Sequence, residues 1–261
     1  MLEVFLLNAI LVVCAVILIW IISLVIKDAS IADVFWGLGF VLIAWNTFFM
    51  GEGYHGRKML MLVLTNIWGI RLAGHIFWRN RGKGEDYRYR EMRHRHGGQF
   101  WLISFFEVFL LQGFLMFIIS LPVQIGQISA QPSVVTGLDI IGSMFWITGF
   151  LFEAVGDFQL ARFLARPSPE GTVMNRGLWA YSRHPNYFGE ACMWWGFFVI
   201  ALSVPFGMVA LVSPLTITFL LLRVSGVAML ERDLKQTNPK YDEYIRTTSA
   251  FIPWFPKRGR E

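Results

Sequence analysis

Three residues that could do chemistry lie one helical turn apart in an apolar stretch. Asn186, Glu190 and Trp194 follow one another at spacings of four, and Pro185, which suits the first turn of a helix, directly precedes them. Residues four apart lie on one face of a helix, so these three side chains share a face. A carboxylate in a membrane-spanning helix is costly without a partner and is by default a functional-site hypothesis. We therefore place the chemistry in this stretch.

Further polar side chains interrupt the other apolar stretches. They are Asp33, Arg71, His75, Glu107, Gln112, Glu153, Asp157 and Arg223. A charge at bilayer depth costs about 2.5–3.5 kcal/mol on insertion scales. Helix-to-helix pairing, or a side chain that reaches the membrane surface, can explain any one of them. A shared polar cavity that opens toward the cytoplasm explains the set better, although Glu107 and Gln112 fit packing equally well.

Membrane-spanning helices must position these residues. The chain of 261 residues is 55% hydrophobic and 16% charged, against about 25% charged in an ordinary soluble domain. A span needs about 20 mostly apolar residues, and no stretch alternates like a barrel strand. We expect an all-α, polytopic integral membrane protein with one domain, 1–261, and seven transmembrane helices. The expected spans are 2–26, 31–50, 58–78, 100–121, 137–160, 185–204 and 206–230, followed by an interfacial cytoplasmic tail, 231–261.

The basic residues predict the orientation. Nineteen of the 23 Lys and Arg residues fall in the loops 79–99 and 161–183, in the tail and at Lys27, which share one side in a seven-span arrangement. Only Arg57 and Lys58 lie on the other side. The positive-inside rule then puts the C-terminus in the cytoplasm and the N-terminus outside. Because the basic residues cluster beside spans, the net charge of +5 does not indicate a nucleic-acid partner.

The two basic loops indicate an anionic ligand. Arg binds phosphate through a planar fork and aromatic rings stack on purines, so the interleaved Arg and Tyr residues suit a nucleotide. Contact with anionic lipid headgroups explains the same charges. The segment Gly82–Gly84 lacks a preceding strand and a third glycine, so it is no Rossmann motif, and the chain contains no Walker motif. His94, His96 and His184 lack metal-ligand spacing, so we expect no metal.

Several motifs together resemble the steroid 5-alpha-reductase family and the related membrane sterol reductases. One is R-H-P-N-Y-F-G-E followed by a tryptophan, at Arg183–Trp194. The others are typical of that family's uncharacterised bacterial branch: D-x-x-W-G at Asp33–Gly37, W-G-x-R-L at Trp68–Leu72 and G-x-G-E-D-Y-R-Y at Gly82–Tyr89. The resemblance covers most of the chain. It implies a seven-helix reductase in a bacterial inner membrane that binds NADPH from the cytoplasm.

The resemblance also implies roles for individual residues. Asn186 and Glu190 would bind the nicotinamide and ribose region beside Trp194, and Asp157 would bind ribose or adenine. The remaining cofactor contacts would be Arg81, Arg183 and Arg223 on the phosphates, together with Arg71, His184 and Tyr187. Asp33, kept protonated by burial, and Tyr87 would donate a hydrogen bond to the substrate carbonyl. The implied reaction is hydride transfer to the C=C of an apolar conjugated enone, as in a 3-oxo-5-alpha-steroid 4-dehydrogenase.

The sequence departs from the family at the substrate side. Trp68 stands where the animal enzymes have a substrate-binding tyrosine, Asp33 replaces a glutamate, and Glu231 replaces a tyrosine. The motif R-H-P-N-Y-G is shared with isoprenylcysteine carboxyl methyltransferases, which use S-adenosylmethionine. A methyltransferase is therefore one alternative function, and a non-enzymatic lipid-binding membrane protein is another. In each case we expect membrane lipids and an apolar molecule from the bilayer as partners, with the oligomeric state open.

Overall fold

A computed structural model describes residues 1–166, 171–224, 226–227, 231, 234, 238 and 240–257. Within these residues all regular structure is helical, which confirms the all-α prediction for that part of the chain. The α-helices are α1 (Leu2–Ile26), α2 (Ile31–Met50), α3 (His55–Asn80), α4 (Tyr87–His96), α5 (Phe100–Ser104), α6 (Leu111–Ile119), α7 (Leu121–Ile128), α8 (Gly137–Leu164), α9 (Pro185–Ala201), α10 (Val212–Phe219) and α11 (Tyr241–Thr247). Shorter 3-10 and π-helical segments lie between some of them: Gly97–Gln99, Phe105–Leu110, Gly177–Ala180, Gly207–Leu211 and Leu220–Val224.

Six helical stretches among the described residues are long and apolar enough to cross a membrane. They are Leu2–Ile26, Ile31–Met50, His55–Asn80, Tyr87–Ile119, Gly137–Leu164 and Gly207–Val224. They support a multi-pass membrane protein. The remaining expected span, 185–204, contains the 17-residue helix α9, which is shorter than these six. The seven-span arrangement, its orientation and the bacterial inner membrane therefore stay predictions.

Two segments expected between spans form helices of their own. Residues 87–96 of the basic loop form α4, which begins after Asp86, because that carboxylate accepts a hydrogen bond from the Arg88 backbone N–H at 3.0 Å. Residues 121–128, between the fourth and fifth expected spans, form α7. A search for membrane spans by hydropathy misses both helices, because each by itself is too short to cross a bilayer.

The chain divides into two compact units. Unit 1 comprises Met1–Asp139 and Ala201–Ala210, and unit 2 comprises Ile140–Ile200 and Leu211–Glu261. In unit 1, α2 packs against α3 over the most extensive helix contact, and α1, α6 and α7 pack around that pair. Unit 2 is built around α8 and α9, which carry five of the ten residues predicted to bind the cofactor.

Glycines allow α2 and α3 to cross closely in unit 1. A Cβ added at Gly69 would lie 2.6 Å from the carbonyl oxygen of Gly37, and one added at Gly37 would lie 2.4 Å from that of Gly69. One turn further along, the rings of Phe40 and Trp68 meet edge to face at 5.3 Å, and both are buried. The glycines of D-x-x-W-G and W-G-x-R-L thus form one helix crossing.

A buried polar network joins α1, α2 and α7 in unit 1. The Asn8 side chain donates to the Thr47 hydroxyl at 2.8 Å and to the Gln124 carbonyl at 2.9 Å, and it accepts from Asn46 at 2.7 Å. Gln124 in turn donates to Ser120. Since a buried polar group is costly without a partner, these bonds fix the register of the three helices.

An ion pair closes one end of unit 1. Arg57, at the start of α3, donates two hydrogen bonds to the Asp139 carboxylate, at 2.8 and 3.0 Å, and both side chains are almost wholly buried. The same guanidinium donates to the backbone carbonyls of Pro132 and Val134. The sequence predicted Arg57 as one of two basic residues on the non-cytoplasmic side. In the structure it is buried and joins the start of α3 to residues 132–139.

Candidate functional site

Glycines repeated every seven residues bring α8 and α9 into backbone contact. On α8 they are Gly142 and Gly149, and on α9 they are Gly189 and Gly196. A Cβ at Gly149 would lie 2.5 Å from the Gly189 carbonyl oxygen, and one at Gly142 would lie 2.5 Å from that of Gly196. The pairing runs antiparallel, because the earlier glycine of α8 meets the later glycine of α9. We call this contact the glycine seam. Such small-residue seams let membrane helices approach closely.

The seam continues to the beginning of α9, where it joins two predicted site residues. At Gly156, seven residues beyond Gly149, an added Cβ would lie 3.3 Å from the Asn186 backbone nitrogen and 3.4 Å from the Pro185 ring. The next residue of α8, Asp157, accepts a hydrogen bond from the Asn186 side-chain Nδ2 at 3.1 Å. Trp179 donates from its indole N–H to the Gly156 carbonyl at 3.1 Å. The structure thus brings together Asp157 and Asn186, which are 29 residues apart in the sequence.

One atom of this pair has no internal partner. The side-chain oxygen of Asn186, Oδ1, is buried, and no atom of the described residues hydrogen-bonds to it. Asp157 fixes the other end of the amide, so Oδ1 is held in a defined direction. A buried carbonyl oxygen in this position can accept a hydrogen bond from a water molecule or a ligand.

Two more predicted residues lie further along α9. Trp194 is 1% exposed, and its ring meets that of Phe197 at 5.2 Å. Glu190 is partly buried and follows Gly189, where an added Cβ would lie 2.5 Å from the Glu153 backbone nitrogen. Glu153 is itself buried. The glycine seam thus places the backbone of Glu153, one of the carboxylates within the expected spans, beside the residue that precedes Glu190.

Arg183 has a different environment from the one expected of a phosphate ligand. Its side chain is 7% exposed, and its Nε donates to the Glu231 carboxylate at 2.7 Å. Its Nη1 donates to the backbone carbonyls of Ile245 at 3.0 Å and Thr248 at 2.5 Å. With these contacts the guanidinium holds the C-terminal segment against the loop that precedes α9.

His184 and Tyr187 complete this cluster. The His184 Nε2 lies 3.3 Å from the same Glu231 oxygen, and its ring stacks on Tyr187 at 5.5 Å, with 3° between the planes. Burial alone would raise the pKa of Glu231, but hydrogen bonds from His184 and Arg183 and the charge of Arg183 outweigh it and lower the pKa to about 2. Burial, reinforced by the negative charge of Glu231, raises the pKa of Tyr241 to about 12. The cluster therefore holds Glu231 as a carboxylate beside neutral tyrosines.

In unit 1 the structure joins two of the sequence motifs at Asp33. The Asp33 carboxylate accepts hydrogen bonds at 2.6 Å from the Tyr89 hydroxyl and at 2.6 Å from the Arg88 guanidinium. Tyr89 is buried, whereas Tyr87, the tyrosine predicted to bind substrate, is 52% exposed. Tyr89 was missed as a partner of Asp33. The signal in the sequence was Asp86, which caps a helix that begins at Tyr87. Tyr87 and Tyr89 are two residues apart in that helix, so they lie on different faces of it.

The acidic residues of the same motif fasten the basic loop to unit 1. The Glu85 carboxylate accepts from two nitrogens of Arg93, at 2.7 and 3.0 Å, and from the Ala29 backbone N–H at 2.9 Å. Burial opposes ionisation of Glu85, yet the bonds from Arg93 and Ala29 lower its pKa. Arg88 and Arg93, counted in the sequence among the cations available to an anionic ligand, are thus paired with carboxylates of their own chain.

The remaining predicted arginines differ in exposure. Arg81, at the end of α3 in unit 1, is exposed and is followed by two glycines with positive φ, at 78° and 72°. Arg71 in the same helix is partly buried. In unit 2, Arg223 is exposed and lies in the π-helical segment Leu220–Val224. Arg81 and Arg223 have the exposure that a phosphate contact needs.

Comparisons with known proteins agree with this picture only at the level of family. A family model described as "Protein of unknown function (DUF1295)" matches residues 19–248. The chain is also 25% identical, over 265 aligned positions, to an uncharacterized protein of Schizosaccharomyces pombe (strain 972). That match covers 90% of this chain and 75% of the yeast protein. No solved structure matches the chain.

Proposed function

The chain belongs to the DUF1295 family, which is the steroid 5-alpha-reductase-like family, and from this premise we propose that it is a membrane-embedded, NADPH-dependent reductase. Its substrate would be an apolar conjugated enone, steroid-like or another lipid. The membership confirms the resemblance carried by the sequence motifs, at the level of the family. The activity, the cofactor and the bacterial branch are our proposal.

The buried, unpartnered oxygen of Asn186 is the observation that carries the proposal. The nicotinamide ring bears a carboxamide whose NH₂ group is a hydrogen-bond donor of the kind this oxygen lacks. Asp157 holds the Asn186 amide by its nitrogen, so the oxygen is oriented before a ligand arrives. Pre-orientation of this kind reduces the entropy lost on binding. The residues present therefore fit a carboxamide-bearing cofactor.

Other residues of the chain support the same assignment. Glu190 and Trp194 follow Asn186 on one face of α9, where they would contact the ribose and the ring. Within unit 2, Asp157 would accept from a ribose hydroxyl or adenine, and the exposed Arg223 would meet a phosphate. Arg81 and Arg71, in unit 1, stay predictions of the family resemblance. Arg183, His184 and Tyr187 would act by positioning the loop that leads to Asn186. When bound, NADPH supplies the hydride.

The protein must also stabilise the negative charge that develops on the substrate carbonyl. One donor at such a position is typically worth about 2.7–4 kcal/mol. Both Asp33 carboxylate oxygens accept hydrogen bonds, from Arg88 and Tyr89, so Asp33 is not the donor expected from the sequence, and we keep Tyr87 as the proposed donor. Tyr87→Phe tests this donor, because its loss should lower kcat while NADPH affinity is retained, and Tyr89→Phe, whose hydroxyl already donates to Asp33, is the matched control.

Binding measurements on the purified protein in detergent test the cofactor assignment. NADPH fluorescence should titrate to saturation, and Asn186→Ala and Glu190→Gln should each weaken binding about threefold to tenfold, the loss of one hydrogen bond. Asn66→Ala and Glu107→Gln are matched controls in other spans and should bind as the native chain does. If both site variants bind within about twofold of the native chain, the assignment is wrong.

The alternatives give different results in the same assay. A methyltransferase of the isoprenylcysteine carboxyl type would bind S-adenosylmethionine in place of NADPH, and a non-enzymatic lipid-binding protein would bind neither. If NADPH binds, turnover follows from its absorbance loss in the presence of a steroid enone, another polycyclic enone or an unsaturated lipid. Mass spectrometry should then detect a product with two additional hydrogens across the C=C.

A further inference from the structure

The segment that follows the last helical span is firmly held by the loop before α9. We call Tyr241–Lys257 the C-terminal strap. The Tyr244 hydroxyl donates to the Trp179 carbonyl at 2.5 Å, and the Ser182 hydroxyl donates to the Phe251 carbonyl at 2.8 Å. Backbone hydrogen bonds join Arg183 to Ser249 and Trp254 to Tyr181, both at 2.9 Å. The strap is thus ordered by contacts within unit 2.

Part of the C-terminal strap is buried, although the sequence predicted that the tail 231–261 lies at the membrane interface. Tyr241 and Tyr244 belong to the tail expected at the membrane interface, yet they are 4% and 6% exposed and lie beside the Glu231 cluster. Three other large apolar side chains point away from the protein. Ile252, Trp254 and Phe255 are 65%, 70% and 75% exposed. Their backbone is fixed, so the structure holds them in this exposed arrangement.

These three residues have the composition of a membrane-interface anchor. Tryptophan concentrates where the hydrocarbon meets the headgroups, because its ring is apolar and its N–H is polar. Phe255 also meets the exposed ring of Tyr181 edge to face at 6.1 Å, so the apolar surface is continuous. Lys257 is exposed directly beside it, and Arg258 and Arg260 follow in the sequence. Cations in this position complement anionic headgroups.

We propose that Ile252, Trp254 and Phe255 insert into the interface of an anionic bilayer and anchor the strap there. The helical stretch that ends at Val224 could cross the membrane, and the strap begins 17 residues later, so the bilayer is within reach. Pro253 and Pro256 interrupt backbone N–H donors along the segment, which makes strand addition to a protein partner unfavourable. Insertion would bury the three side chains about 5–10 Å deep, as in other interfacial anchors.

Spin labels at two positions test the proposal. Both Phe255→Cys and Asp242→Cys are made in a Cys14→Ser, Cys192→Ala background, since those are the two native cysteines. Asp242 is an exposed position on α11 and serves as the matched control. Each labelled protein is reconstituted into nanodiscs of phosphatidylcholine, with or without phosphatidylglycerol. Power saturation then compares collision with oxygen, which concentrates in lipid, and with a water-soluble nickel chelate.

The proposal predicts that the label at 255 collides several-fold more with oxygen than with nickel, and that the label at 242 does the reverse. Phosphatidylglycerol should increase the oxygen preference at 255. Nickel preference at both positions would overturn the proposal, and so would a label at 255 shielded from both reagents, which indicates a protein partner or a second copy. A Trp254→Cys label repeats the measurement if the protein labelled at 255 fails to fold.

Discussion

The crossing of α2 and α3 gives a prediction in which two similar substitutions in one helix have opposite effects. At Gly69 an added Cβ would lie 2.6 Å from the Gly37 carbonyl oxygen and 2.7 Å from a methyl group of Val41. At Gly74, five residues along the same helix, an added Cβ would meet nothing within 4 Å. We predict that Gly69→Ala destabilises the protein and that Gly74→Ala does not.

The magnitude follows from the geometry. An ordinary contact begins near 3.4 Å, so Gly69→Ala must move the helices apart by roughly 0.8 Å against backbone atoms that cannot turn aside. Overpacking of this kind costs about 1–3 kcal/mol. Replacement of glycine by alanine within a helix otherwise gains about 0.5–1 kcal/mol. Because both variants share this gain, the difference between them isolates the clash at about 1–3 kcal/mol.

Equilibrium unfolding in mixed SDS and non-ionic micelles, followed by circular dichroism, measures the difference. Gly37→Ala should resemble Gly69→Ala, and the double variant should lose less than the sum, because both substitutions relieve their clash by the same helix movement. If Gly69→Ala and Gly74→Ala are both at least as stable as the native chain, the close crossing is refuted. If both are destabilised equally, the loss has another cause than the clash at Gly69.

Three further predictions concern other features. Arg57→Met should cost about 3–5 kcal/mol by leaving a buried carboxylate unpaired, and adding Asp139→Leu should recover most of it in a double-mutant cycle. Because folding lowers the pKa of Glu231, its carboxylate stabilises the fold at pH values above the unfolded pKa near 4.5, and this contribution is lost as the pH falls toward 2. Unfolding free energy should therefore fall on acidification by roughly 3 kcal/mol, and Glu231→Gln should lack this dependence. Gly149→Ala should weaken NADPH binding about tenfold by widening the glycine seam, measured by fluorescence titration, whereas Gly137→Ala, whose added Cβ meets nothing within 4 Å, should not.

The sequence predicted the long helices well, since a run of apolar residues is a strong signal for them. The first two expected spans coincide with α1 and α2. It failed on α4 and α7, because both are short and α4 is polar. Tertiary contacts stabilise α4, as its tyrosine and two arginines bond to Asp33 and Glu85. Hydropathy contains no information about such contacts.

At the candidate site, helical spacing predicted which residues of α9 share a face, and the structure adds what faces them. The partner helix could have been found from the sequence, because Gly142 and Gly149 repeat at the same interval of seven as Gly189 and Gly196. Matching the two repeats in antiparallel order pairs Gly142 with Gly196 and Gly149 with Gly189, and it places the Asp157 end of α8 near the beginning of α9. Whether an arginine is exposed or paired is harder to predict, because it depends on which carboxylates the fold places beside its guanidinium.

The arginines show why residue type alone overestimates a binding site. Arginine in a basic loop suits phosphate, yet Arg88, Arg93 and Arg183 each lie within 2.7 Å of a carboxylate of this chain. To bind a phosphate they would first have to give up that carboxylate, which is then left partly buried without its charge partner. The cost opposes any gain from the ligand. In unit 2 the phosphate contact should therefore come from Arg223, which is exposed, and Arg223→Gln should weaken NADPH binding while leaving the fold intact.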